Sequence, residues 1–146
     1  MSSVEQFLTP DEEKAVVMAI QEAEKATSGE IRVHLEKTLT KEAMERALEV
    51  FYELKMEATA QRNGVLIYVA VESRKFTICG DQGIHEKVTH SFWDTTKEVM
   101  QEYFRAGKNA TALCEGIRRV GEQLKHYFPY TEDDTNELTN EISKGW

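Results

Sequence analysis

The sequence predicts an α/β fold, a three-layer α/β/α sandwich built on a small mixed β-sheet. Three observations carry that expectation. Residues 30–36, "EIRVHLE", alternate apolar and polar with the period of a strand. Residues 65–71, "VLIYVAV", form a near-continuous apolar run of the kind found in strands covered on both faces. Between them lies a helical stripe, and strand–helix–strand crossovers are parallel and right-handed almost without exception.

Taken in order, residues 10–27 place Ala15, Val16, Ala19, Ile20 and Ala23 on one side of a helix. Thr9 suits the N-cap, Pro10 the first helical position, and acids fill the first turn. Ser28-Gly29 ends that helix, and the strand 30–36 follows. A second helix is expected over 40–60, with Met44, Ala47, Leu48, Phe51, Leu54 and Ala58 inward. Arg62-Asn63-Gly64 is turn chemistry leading into strand 65–71. Residues 72–74 make a tight hairpin into a third strand, 75–79, which must therefore run antiparallel. A third helix is expected over 84–105, with Val88, Phe92, Val99 and Tyr103 inward. The fourth, 109–127, aligns Leu113, Ile117, Val120 and Leu124. Residues 1–128 read as one domain and 129–146 as an acidic tail, whose last sixteen residues hold five acids against one lysine. Leu138 and Ile142 interrupt that tail and would dock on a partner or on the domain's own surface.

At 146 residues the chain can bury a substantial core. Its formal net charge of −8 argues against nucleic acid and anionic membranes, both of which reward clustered Lys and Arg. No apolar run reaches transmembrane length, and the N-terminus lacks the basic and apolar regions of a signal peptide, so neither membrane insertion nor export is expected. A monomer in the cytoplasm is the expectation. Cys79 and Cys114 sit in apolar patterns without ligand spacing and read as reduced thiols.

Several catalytic signatures are absent. "HEKVTH" (85–90) puts its second histidine one position beyond the spacing of a zinc-protease helix. His34, His85, His90 and His126 read as surface or rim residues. Cys114 is followed too soon by Arg118 and Arg119 for a thiolate phosphatase. Asp81 has Gly83 where an aspartyl-phosphate mechanism would want a second acid. There is no phosphate-binding Walker loop and no serine elbow.

One stretch does gather polar chemistry. Strands 30–36 and 65–71 begin at the same sheet edge, and the antiparallel strand 75–79 returns to it. Asp81, in Gly80-Asp81-Gln82-Gly83, is thereby brought near Glu30 and Asn63. Two carboxylates and an amide oxygen are a ligand set for Ca²⁺ or Mg²⁺, with carbonyls and waters completing the shell. The competing reading is that Asp81 bonds its own turn or caps the next helix, while Glu30 pairs with Arg62 or Arg32.

Three segments, "TSGEIRVHLEKTL", "RNGVLIYVAVESRKFTICGDQGI" and "FRAGKNATALCEGIRRVGEQL", resemble the TPM domain family over roughly residues 8–128. The Asn-Gly before an apolar strand, the Arg-Lys hairpin and the Gly-x-x-Gly are its most specific marks. The "NELTNEIS" segment resembles the end of stand-alone bacterial members. The resemblance implies an α/β/α sandwich. It also implies divalent-cation binding, an acid phosphatase activity found with some thylakoid members, or an assembly and modulatory role. Many relatives add a signal peptide and a membrane anchor, which this sequence does not show. The expected function is a non-catalytic soluble binding module with a weak Ca²⁺ or Mg²⁺ site at Asp81, Glu30 and Asn63, acting through a protein partner. The alternative is a weak metal-dependent phosphatase.

Overall fold

The computed structural model describes residues 2–131 and 138–145. Helix α1 (Ser3–Gln6) leads into α2 (Pro10–Glu24). Strand β1 (Glu30–Glu36), helix α3 (Ala43–Glu53), and strands β2 (Gly64–Ala70) and β3 (Lys75–Gly80) follow. A short α4 (Gln82–His85), the long α5 (His90–Arg105) and α6 (Asn109–Tyr127) precede a two-residue strand β4 (Ser143–Lys144). The sheet order is β3-β2-β1-β4. β1 and β2 are parallel, Glu30 opposite Gly64, and β3 is antiparallel to β2, Val65 opposite Gly80.

The alternation of the strands sorts the core into two layers. Ile31, Val33 and Leu35 of β1 join Val65, Ile67 and Val69 of β2 in a cluster with Val16 and Ile20 of α2, Met100 of α5, and Leu113, Ile117, Val120 and Leu124 of α6. On the other face Leu66, Tyr68 and Ala70 form a second cluster with Ala47, Val50 and Phe51 of α3. Every residue of β2 is buried, as its unbroken apolar run requires. The three-layer sandwich on a mixed sheet is therefore present. α2 starts as its sequence dictates: Thr9 accepts from the Glu12 amide, the Glu12 side chain accepts from the Thr9 amide, and Pro10 begins the helix.

Three expectations need correcting. The helix expected over 40–60 covers only Ala43–Glu53, because Leu54 leaves helical geometry and Lys55 takes a left-handed φ of 56°. Its buried side is Ala47, Val50 and Phe51, whereas Met44 and Leu48 are 36% and 41% exposed. The third helix is broken at 86–89, where Thr89 is extended before α5 restarts. That restart makes Trp93, Thr96 and Met100 the buried residues and leaves Phe92, Val99 and Tyr103 half-buried, with Phe92 still packed against the core. Trp93 then packs so close to Gly80 that a Cβ there would lie 3.2 Å from its ring.

The third correction concerns His34, which is buried rather than at the rim. It belongs to a polar network on the α3 face. Its Nδ1 meets Ser143 Oγ at 2.9 Å, its Nε2 lies 3.3 Å from Glu36 Oε1, and its ring stacks on Tyr68. Arg46 of α3 donates to both Glu36 oxygens, at 2.9 and 2.7 Å, and the Tyr68 hydroxyl donates to Oε2 at 2.5 Å. Burial alone would raise the Glu36 carboxyl, but the bonds from Arg46, Tyr68 and His34 bring it down to about 2. For His34 it is burial that lowers the imidazole, against the pull of Glu36. β4 closes this side by pairing parallel with β1, Ser143 opposite His34. Leu138 packs against the α3-side cluster and Ile142 against the other, so both dock on the domain's own surface. The acidic residues at 132–134 and 137 lie outside the described residues.

Candidate functional site at the sheet edge

The strand register builds the edge that connectivity predicts. The Glu30 amide donates to the Asn63 carbonyl at 3.4 Å, and the Asp81 amide to the Gly64 carbonyl at 2.8 Å. Glu30, Asn63 and Asp81 thus occupy neighbouring strand ends, and all three are buried. Their side chains do different work.

Asp81 is fully engaged. Arg62 grips it with two bonds, Nε to Oδ2 at 2.7 Å and Nη2 to Oδ1 at 2.9 Å. Oδ1 also accepts from the Gln82 amide at 2.8 Å, capping α4. Arg62 reaches this position from a left-handed φ of 52°. The Gly83 amide donates to the Arg62 carbonyl at 2.8 Å. A Cβ at position 83 would stand 2.2 Å from the Gln61 carbonyl oxygen and 2.5 Å from that of Arg62. Gly83 therefore lets two backbone segments touch, and Asp81 between the glycines shapes and locks the turn. As a cation ligand it would first have to release Arg62, so the expected trio of Asp81, Glu30 and Asn63 does not assemble as one free donor set.

The residue that sequence reasoning missed is Glu24. Its Oε2 accepts from the Ile31 amide at 2.9 Å, and its carboxyl is hydrogen-bonded to that of Glu30. Burial pushes the Glu24 carboxyl up to about 8; the Ile31 bond opposes this, and the charge and hydrogen bond of Glu30 add to it. Two carboxyl groups this close share a proton, since both cannot ionise cheaply. A signal was available: only five residues separate Glu24 from Glu30, so the end of α2 must fold back onto the start of β1.

Asn63 completes the edge. Its amide donates to Thr59 Oγ1 at 3.2 Å and its Nδ2 to Ser28 Oγ at 3.3 Å, while its buried Oδ1 has no hydrogen-bond partner. Among the described residues no three His, Cys, Asp or Glu side chains are grouped as metal ligands. Two carboxyls and an amide oxygen nevertheless fit a hard cation that takes the rest of its shell from carbonyls and water. The thiols do not suit nucleophilic chemistry. Burial pushes Cys79 up to about 11, with the Asp81 charge adding to it, and burial raises Cys114 too.

The TPM domain family matches residues 2–123. The chain belongs to the TPM domain family. This TPM domain is similar to the solution structure of the BA42 protein from the psychrophilic bacterium Bizionia argentinensis. The two are 54% identical with a TM-score of 0.90, covering 97% of this chain and 98% of that one. Two more distant structures share the fold alone. The N-terminal domain of cg2496 from Corynebacterium glutamicum is 13% identical (TM-score 0.64; 80% of this chain, 74% of that). An N-terminal domain from P. gingivalis is 16% identical (TM-score 0.66; 86% and 83%). No curated protein sequence matches the chain. No helix among the described residues is long and apolar enough to cross a membrane.

Proposed function

We propose that this TPM domain is a non-catalytic binding module that takes up Ca²⁺ or Mg²⁺ weakly at its sheet edge and acts through a protein partner. Glu30 and Asn63 would hold the ion together with Glu24, which takes the place sequence reasoning gave to Asp81. The observation that carries the reading is the buried, unpartnered Asn63 Oδ1 on the strand end next to the Glu24–Glu30 carboxyl pair. A bound ion supplies positive charge where the pair now shares a proton. Asp81 keeps Arg62, and with it the 61–64 turn, in place. The same reading has the domain working as a monomer in the cytoplasm.

Titration with Ca²⁺ and Mg²⁺, followed by backbone amide shifts, tests this. Shifts should concentrate at residues 24, 28–31 and 61–64, disappear in Glu30→Gln and persist in Asp81→Asn. Affinity should rise with pH up to about 8, because the shared proton must leave. Shifts confined to residues 131–141 would reduce the effect to ions condensing on acidic chain, and the site would be withdrawn. Hydrolysis of a phosphate monoester that needs Mg²⁺ and is lost in Glu30→Gln would instead establish the phosphatase.

A further inference from the structure

The opposite end of the sheet carries a second, chemically contrary feature. Beyond the carboxyl end of β2 and the start of β3 lies a cavity of about 670 Å³. Its floor is aromatic: Phe76 and Phe104 stand 5.0 Å apart between ring centroids, and Phe7 lies 6.2 Å from Phe104. Around that floor stand Arg74, Lys75, Lys97 and Arg105, and among the described residues no acid lines the cavity. Elsewhere three arginines pair with carboxylates, Arg46 with Glu36, Arg62 with Asp81, and Arg118 with Glu115 and Glu122, while Arg32 and Arg119 bond to the Glu141 carbonyl and the Thr96 hydroxyl. None of the four cations at the cavity pairs with a carboxylate among the described residues.

The backbone adds to the same field. Asn109, the first residue of α6, lines the cavity, and that 19-residue helix has neither a side-chain cap nor an acid in its first turn. α2, by contrast, begins with a capping box and three acids. Among the described residues the uncapped N–H groups of α6 therefore leave the positive end of its dipole without an acid, beside four cations that pair with no described carboxylate. The volume matches small-molecule sites, and the carboxyl ends of parallel strands are where open α/β sheets bind ligands.

We propose that this cavity binds a small aryl anion, an aromatic ring lying on Phe76 and Phe104 with one phosphate, phosphonate or carboxylate among Lys97, Arg105 and the start of α6. Ring and charge are both required. An inorganic anion finds the cations but leaves the apolar floor wet, and a neutral aromatic covers the floor but leaves the charge unanswered. The site lies at the far end of the sheet from Glu30 and is independent of the cation reading.

Phenylphosphonate is the probe, with inorganic phosphate and benzyl alcohol as its two halves, each titrated into the full chain and followed by amide shifts. Phenylphosphonate should give saturable shifts at 71–76 and 97–110, weakening as salt is raised, and neither half should saturate in the same range. The double variant Lys97→Gln/Arg105→Gln alters side chains on the surface of α5 and should keep the spectrum of a folded protein. It should bind phenylphosphonate about tenfold more weakly, the effect of losing two partly exposed charge contacts. The proposal is overturned by any of three results: no saturable shifts, equal binding of either half alone, or unchanged affinity in the double variant.

Discussion

Replacing Gly83 by alanine should destabilise the domain far more than a surface methyl group normally does. The new Cβ would stand 2.2 Å from the Gln61 carbonyl oxygen and 2.5 Å from that of Arg62, and both are backbone atoms that cannot rotate away. Restoring ordinary contact requires the two segments to part by about 1 Å. That movement breaks the 2.8 Å bond from the Gly83 amide to the Arg62 carbonyl, a loss of about 1 kcal/mol. It also draws Arg62 off Asp81, whose side chain is only 5% exposed, and a buried acceptor short of its partner costs about 1–3 kcal/mol. Arg62 is 38% exposed, so solvent screens part of that second loss and favours its lower half. The expected total is about 2–3 kcal/mol, read from urea denaturation midpoints at neutral pH. Gly107→Ala is the control. Its φ is +76° with nothing within 4 Å of a Cβ, so it should lose only the backbone preference, about 1 kcal/mol. If Gly83→Ala proves no worse than Gly107→Ala, the packing account of the Gly-x-x-Gly turn is wrong.

Two further predictions concern titrating carboxyls. Tyr68→Phe removes the 2.5 Å bond to Glu36 with little change of shape and should cost about 1.5–3 kcal/mol at neutral pH. Glu36 titrates lower in the folded than in the unfolded chain, so its contribution is complete above about 4.5 and fades as pH falls to about 2; urea midpoints across that range should converge for the two proteins. Glu24 is opposite in sign. Its folded carboxyl keeps a proton that the unfolded chain gives up near 4.5, so the native protein should lose stability as pH rises from 4.5 to about 8. Glu24→Gln should flatten that decline in a melting-temperature profile, and an unchanged slope would show that the pair does not share a proton.

Much of the architecture was legible because period and connectivity are local properties. The alternation of 30–36 and the apolar run of 65–71 located β1 and β2 to within a residue, and the hairpin and crossover rules set their directions. α6 was found with its stripe because Leu113, Ile117, Val120 and Leu124 repeat at helical spacing without interruption. The break between α4 and α5 was not, because nothing at 86–89 forbids a helix. It is Trp93 seated over Gly80 that decides the orientation, and that contact is tertiary. His34 illustrates the same limit. A histidine on the polar side of an alternating strand reads as exposed until β4 and α3 close over it, and neither cover could be inferred from the strand itself. At the sheet edge the topology correctly gathered Glu30, Asn63 and Asp81. It could not say that Arg62 would take both oxygens of Asp81, since that depends on a left-handed residue and a glycine contact twenty-one positions on.

β4 has a kinetic consequence. His34 and Ser143 are 109 positions apart, so this pairing closes a very long loop for the return of two ladder residues, the Gly145 bond to Leu35, the His34–Ser143 contact and the packing of Leu138 and Ile142. Loop-closure entropy of that kind is repaid only after the remaining strands and helices are already in register. The outer seam of β1 should accordingly zip last during refolding and open first under native conditions, well before global unfolding. While it is open, β1 offers unpaired backbone that the 138–145 segment of a neighbouring molecule fits as well as its own. Refolding at high protein concentration should therefore yield exchanged dimers that fall as the protein is diluted.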